Sequence, residues 1–538
     1  MITVRNPILP GFNPDPCIIR VGQYYYIATS TFEWWPGVRI HRSTDLAHWE
    51  LVGHALTKRS QIDLRGIPDS GGVWAPGLSY SDGKFWLVYS DVKAHCGPFK
   101  DVTNYLITAK DPAGPWSEPV FLNRSGFDPS LFHDTDGRKW LVNQVWKTLP
   151  IEEAFAGIVL REYSPAAGGL IGDPVTLFRG TSLGLTEGPH LYKKDVYYYL
   201  VTAEGGTEWD HAVTVARSRS LAGPYEVSPH HPLLTSARSP SLPLQKAGHG
   251  SFVQSSEGDW YLAHLCSRHG KRRRCILGRE TAIQPLVWPE NDWPRLAAGG
   301  NEPATDFTVS ATQGGLSPST FIDDFARPEL HPQWNTLREP YDRTWLSLME
   351  RPGFLRLRGR NWLQCLFDQS LLGLRLTHPQ CEVSTRLEFA PHAFQQAAGL
   401  AIYYNTANFY YLYLTCLSSG SLVLRLIASD NRRCREVSAE PMPESARKGL
   451  QLRARLLDEE LRFFAAVGDE PERAIGPVLD ASILSDDYPA EGGIGLTFTG
   501  VFAALCAQNS GADDVPADFD RFTYRAIATA DQFAGKSL

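Results

Sequence analysis

Thr186-Glu187-Gly188-Pro189-His190-Leu191, followed by Val196-Tyr197-Tyr198-Tyr199-Leu200-Val201, sets a carboxylate and a Gly-Pro break ahead of a short strand, a turn and an aromatic strand. The arrangement recurs: Asn13-Pro14-Asp15-Pro16 precedes Tyr24-Tyr25-Tyr26-Ile27, and Phe127-Asp128-Pro129 precedes Lys139-Trp140-Leu141-Val142. Working outward, five aromatic–aliphatic strand centres align: Tyr26-Ile27, Trp86-Leu87, Trp140-Leu141, Tyr199-Leu200 and Tyr261-Leu262, at spacings of 60, 54, 59 and 62 residues. Each follows a turn signal such as Ser81-Asp82-Gly83-Lys84 or Thr135-Asp136-Gly137-Arg138, and Asp-Gly between strand-like runs marks a hairpin. Third strands are predicted at Val38–His41, Tyr105–Thr108, Ile158–Arg161, Ala212–Val215 and Cys275–Gly278. His48–Val52 and Pro224–Val227 supply fourth strands. Five repeats of about four strands predict an all-β fold that opens with a five-bladed propeller around a central channel.

Counting back 12 residues from each centre reaches Trp74, Asp128, Glu187 and His249, and in the first unit Pro14, beside Asp15. A first turn one residue shorter would make Asp15 the equivalent position. The innermost strands of a propeller line its channel, so three carboxylates, a tryptophan and a histidine are expected to converge. A single Asp-Pro is read as a strand-starting turn; three acids in register favour a functional site.

The rest of the chain narrows the reading. Its 538 residues call for two or more domains, and the net charge of -7 is well mixed. The basic run Lys271-Arg272-Arg273-Arg274 reads as a solvated face rather than a nucleic-acid patch. Nine cysteines without C-x-x-C spacing suggest neither a disulfide framework nor a zinc site. With no signal-peptide core and no membrane-span pattern, a cytoplasmic protein with no nucleic-acid or membrane partner is expected. Residues 1–296 are expected to form the propeller and 297–320, rich in Gly, Ser, Thr and Pro, a linker. Residues 321–538 alternate as a β-sandwich. Its aromatic strip from Tyr403 to Tyr413 is assigned to sheet packing in preference to sugar binding.

Two carboxylates across a channel are equipped to cleave a glycosidic bond: one protonated to serve the leaving oxygen, the other ionised to activate water or attack carbon. A third nearby can raise the acid's affinity for its proton by repulsion. Trp74 and Trp146 could wall a sugar ring. No cofactor is expected. His249 and the acids could hold calcium, but no compact loop of alternating oxygen ligands accompanies them. No phosphate-binding loop, dinucleotide fingerprint, H-E-x-x-H or G-x-S-x-G is present.

The run Asn6-Pro7-Ile8-Leu9-Pro10-Gly11-Phe12-Asn13-Pro14-Asp15-Pro16 resembles the opening of glycoside hydrolase family 43 β-xylosidases. Gly72-Val73-Trp74-Ala75-Pro76, Phe127-Asp128-Pro129-Ser130, Thr186–His190 and Gly278-Arg279-Glu280-Thr281 extend the likeness, and Phe321-Ile322-Asp323-Asp324-Phe325 resembles the start of that subgroup's C-terminal, concanavalin-like jelly roll. The resemblance implies an inverting, exo-acting β-1,4-xylosidase that releases xylose from the non-reducing end of xylo-oligosaccharides, with α-L-arabinofuranosidase activity as the alternative. A non-catalytic carbohydrate-binding propeller is the reading from another class. By motif, Asp15 would be the general base, Glu187 the general acid and Asp128 the group that tunes the acid and orients substrate. Inverting carboxylates stand roughly 6.5–9.5 Å apart. Arg279 would bind sugar hydroxyls, Phe32, Trp74 and Trp146 would line the pocket, His249 would sit in the channel, and Phe502 would close the pocket from the sandwich. Relatives are commonly homo-oligomeric.

Overall fold

The computed structural model describes residues 1–149, 154–290, 292–309, 320–488 and 497–527. Almost all regular structure in them is β; the only helical elements among them are two short 3-10 turns, Glu444–Lys448 and Ala481–Ile483. Among the described residues no helix is long and apolar enough to cross a membrane. Contacts divide the chain into two compact units, Met1–Arg268 with Arg279–Leu316, and His269–Gly278 with Ser317–Leu538.

The first unit is the five-bladed propeller. Its first blade orders Cys17–Val21, Tyr24–Thr29, Gly37–Ser43 and Glu50–Leu56 as an antiparallel meander. The inner strands of the other blades are Gly72–Ser81, Ser130–His133, Glu187–Lys194 and Gln245–Gln254. Each predicted aromatic centre lies in the second strand of its blade. Tyr199, for example, pairs with Tyr192 on one side and Arg217 on the other.

Inner strands are joined by side chains two residues beyond the predicted site positions. Ser251 Oγ donates to Pro16 O (2.9 Å) and accepts from Ile18 N (3.0 Å), joining blade five to blade one. Ser130 Oγ donates to Pro189 O (2.6 Å), and Cys17 Sγ lies 3.3 Å from Leu78 O. These groups are buried, so each bond satisfies a backbone group that water cannot reach.

Two expectations are corrected. Cys275–Gly278 is not the third strand of blade five; that strand is Glu280–Val287, paired with Trp260–Ser267. Ile276 and Leu277 are apolar for another reason, because they are buried in the core of the second unit. Nor is all of 297–320 a linker. Asp306–Val309 pairs antiparallel with Ile2–Arg5, and Val4 and Val309 are buried in one apolar cluster with Phe307 against it. Residues 310–319 lie outside the described set.

The second unit is the sandwich. One sheet orders Leu346–Ser347, Leu355–Arg358, Pro516–Ala526, Gln380–Glu388, Leu450–Leu457, Glu460–Val467 and Arg473–Asp480. The other runs Arg433–Pro441, Leu422–Asp430, Phe409–Cys416, Gln396–Tyr403, Phe502–Asn509, Ser370–Arg375 and Asn335–Leu337. Leu355, Val383, Leu452 and Phe463 of the first sheet share a core with Leu400, Leu412, Leu424 and Leu505 of the second. The aromatic strip serves packing: Tyr403, Tyr411 and Tyr413 are buried, with Tyr403 stacked on Phe409 at 5.9 Å and Tyr411 on Tyr413 at 4.8 Å. The basic run is used within this unit, where Arg272 pairs with Glu459 and Asp480 and Arg274 lies over the Tyr488 ring.

Candidate active site

The inner strands of the propeller do not begin as straight ribbons. Asp15 and Asp128 take left-handed backbone conformations (φ 55° and 53°), as does His249 (φ 43°); aspartate tolerates this region better than most residues. Bulges interrupt the ladders between Trp74 and Gly77, between Glu187 and His190, and between Gly248 and Gly250. A bulge or a left-handed residue re-aims the side chain it carries. Gly188 (φ 57°) is held to glycine twice over, because a Cβ there would meet the His249 ring at 2.9 Å.

Asp15, Asp128, Glu187, His249 and Arg279 are each less than 10% exposed. Asp15 Oδ2 accepts from the Ser30 hydroxyl (2.6 Å) and Oδ1 from Arg279 Nη1 (3.2 Å), while His249 Nδ1 stands 4.0 Å from Oδ1. Asp128 Oδ2 accepts from the backbone N–H of Gly188 (3.1 Å), so it is bonded to the residue that follows Glu187. The predicted convergence of acids and His249 is observed, with Arg279 among them.

The N-terminal segment explains how Arg279 reaches Asp15. Leu9 and Thr281 exchange backbone hydrogen bonds, and Asn13 N donates to Arg279 O (3.0 Å). The Asn6 amide donates to Ile283 O and Ala304 O and accepts from Ile283 N, all within 2.9 Å. Gly11 N donates to Glu280 Oε1, and Arg268 forks onto the same carboxylate with two bonds of 2.7 Å. The stretch Asn6–Asn13 is thus bonded along the strand that Arg279 introduces.

Aromatic rings form a continuous wall. Phe12 lies 5.8 Å from Phe32, Phe32 6.4 Å from Trp74, Trp74 5.2 Å from Phe127, Phe127 6.2 Å from Trp146, and Trp146 5.2 Å from Phe155. Indole N–H groups anchor two of them, Trp74 to Ser70 O (2.9 Å) and Trp146 to Pro98 O (2.8 Å). Lys100 adds a cation, 4.3 Å from the Trp146 ring and 5.8 Å from that of Trp74. Sequence reasoning found Phe32, Trp74 and Trp146. It missed Phe12 and Phe127, which flank the acids it did single out, and it missed Ser30 and Lys100, for which the repeat holds no signal.

Burial, and then the charge of Asp15, raise the Glu187 carboxyl to about 8, against the pull of Arg279 and Lys100. Asp128 is pushed well above the ordinary carboxylate range by burial, then by Glu187 and Asp15. Burial lowers His249, with Asp15 opposing and Arg279 assisting, so its ring is neutral at neutral pH. The site thus holds one carboxylate anchored by a cation and a hydroxyl beside a second kept protonated. Such an arrangement is equipped to take up one proton and give up another. Among the described residues no group of three or more His, Cys, Asp or Glu is placed to hold a metal ion.

Phe502 is fully buried at the start of Phe502–Asn509, in register with Arg375 and Tyr403, and the Arg375 guanidinium lies 5.1 Å from its ring.

Comparison with known proteins agrees with this chemistry. The chain is 45% identical to a protein of Humicola insolens named xylosidase/arabinosidase 43B, over 98% of each. It is 44% identical to a xylan 1,3-beta-xylosidase of a Vibrio species, over 97% of this chain and 99% of that one. The crystal structure of a xylan beta-1,4-xylosidase from Bacillus halodurans is similar with a TM-score of 0.94 at 50% identity, covering 97% of this chain and 100% of that one. Residues 322–525 match the beta xylosidase C-terminal concanavalin A-like domain. Residues 4–294 match the glycosyl hydrolases of family 43, and the chain belongs to that family.

Proposed function

We propose that this protein is an inverting, exo-acting β-xylosidase that releases xylose from the non-reducing end of short β-1,4-xylo-oligosaccharides. The observation that carries the reading is the pairing of a Glu187 carboxyl kept protonated up to about pH 8 with an Asp15 carboxylate held by Ser30 and Arg279. Asp15 takes a proton from water as that water attacks the anomeric carbon, and Glu187 gives its proton to the departing glycosidic oxygen. Asp128, bonded to Gly188 N, fixes the backbone that carries Glu187 and faces the sugar. Arg279 binds sugar hydroxyls, Phe32, Trp74 and Trp146 wall the ring, and neutral His249 lends a hydrogen bond.

The test is proton NMR of the first xylose released from β-1,4-xylobiose. The α-anomer is expected; β-anomer would mean retention, and the water-activating role of Asp15 would fail. The β-1,3 isomer, run in parallel, decides the linkage. A second reading, α-L-arabinofuranosidase activity, is favoured by the relative named for both sugars. Rates on matched aryl xyloside and aryl arabinofuranoside decide which activity dominates. We also place the protein in a reducing, cytoplasmic setting, since all nine of its cysteines are free. Homo-oligomerisation is checked by light scattering.

A further inference from the structure

A cavity of about 310 Å³ opens in the propeller unit on residues of its fourth and fifth blades, and its lining shares none with the acid site. His230 and His231 come from the connection between Glu226–Val227 and Leu234–Thr235; Arg295 comes from Arg295–Leu296, the outermost strand of blade five; Gly300 and Asn301 complete one side. Among the described residues the lining contains no carboxylate, and Arg295 forms no ion pair. Arg295 Nη2 donates to His230 Nε2 at 2.6 Å, so that nitrogen faces the guanidinium unprotonated. The Nε hydrogen of Arg295 is buried with no acceptor among the described residues.

Guanidinium does not shed its proton in a protein, so the cavity holds a permanent positive charge that its own lining leaves unbalanced. The carboxylate behind this wall, Glu204, is buried and already engaged. It accepts from Thr181 N, from the hydroxyls of Thr181 and Thr186, and from that of Thr214. The same two hydroxyl oxygens, Thr181 and Thr214, face the nitrogens of His231 at 3.2 and 3.4 Å, which fixes that ring. We propose that this cavity binds a phosphate group, free or carried on a small sugar. The Arg295 fork takes two of its oxygens, with the His230 ring beside them. A planar guanidinium suits such bidentate capture, and the volume, at the small end of ligand sites, has room beyond a bare phosphate. The proposal is independent of the glycosidase reading.

The probe is inorganic phosphate, titrated calorimetrically into the full-length protein at constant pH and ionic strength against a chloride control, with glucose 6-phosphate in a parallel arm. Saturable binding is expected, weakened about ten-fold or more in Arg295→Gln and in His230→Ala, with hydrolysis of an aryl xyloside unchanged. Tighter binding of the sugar phosphate assigns the site to a sugar-borne group; equal or weaker binding assigns it to the free ion. No saturable binding of either probe, or binding that survives both substitutions, overturns the proposal. His230 is exposed, so its variant carries the test should Arg295→Gln not fold.

Discussion

Glu187 is held away from its relaxed state. Its carboxyl ionises near 4.5 in the unfolded chain and near 8 in the folded one. Below the first value the two states hold the same proton and the group is neutral to stability. Between the two values unfolding releases a proton, so stability falls as pH rises; above about 8 the full penalty of a buried charge is present, a few kcal/mol in order of magnitude. Glu187→Gln removes the titration. The variant is expected to lose turnover yet melt several degrees higher than the parent at pH 8.5, with the gap closing toward pH 4.5, as scanning calorimetry across that range will show. A second prediction concerns Lys100, whose positive charge favours ionised Glu187. Lys100→Met should raise the pKa of the acid and move the basic limb of the kcat/KM profile to higher pH; a limb that moves down or stays in place removes Lys100 from the electrostatics of the site. Third, Glu187→Ala should lose far more activity on xylobiose than on an aryl xyloside whose leaving group needs little protonation.

At the scale of elements, the N-terminal segment holds Asp15 and Arg279 together. Asn6→Ala deletes three half-buried hydrogen bonds and takes the side-chain partner from Ile283 N and Ile283 O, while Ala304 O keeps the Gln284 amide at 3.1 Å. A loss of about 2–4 kcal/mol is expected from urea unfolding, together with reduced kcat as Arg279 loosens from Asp15. Much of this scale was legible in the sequence. Five aromatic centres located five blades because the second strand of each is buried on both faces, so its aromatic–aliphatic run survives in every repeat. The three acids were legible because each sits where a chain must bend, next to a proline or Gly-Pro. Cys275–Gly278 misled for a physical reason: Ile276 and Leu277 satisfy a core, but not that of the blade they follow in sequence. Asp306-Phe307-Thr308-Val309 has the alternation of a strand, hidden by its shortness among turn-forming residues. Lys100 could not have been found, since it lies outside the repeat marks, and Ser30, though it directly follows the first aromatic strand, carries no acidic or aromatic signature.

On the scale of the molecule, the strand from Ile2 to Arg5 takes its partner from Asp306–Val309, the far end of the propeller unit. A ribosome delivers the former first and the latter only after all five blades have been made. Until then the opening residues, together with the Asn6–Asn13 segment whose partners lie in Glu280–Val287, hang beside an unfinished sheet. Nascent chains of this protein therefore carry an unclosed seam until Asp306–Val309 emerges, and Asp15, the proposed base, settles only when residues far later in the chain arrive.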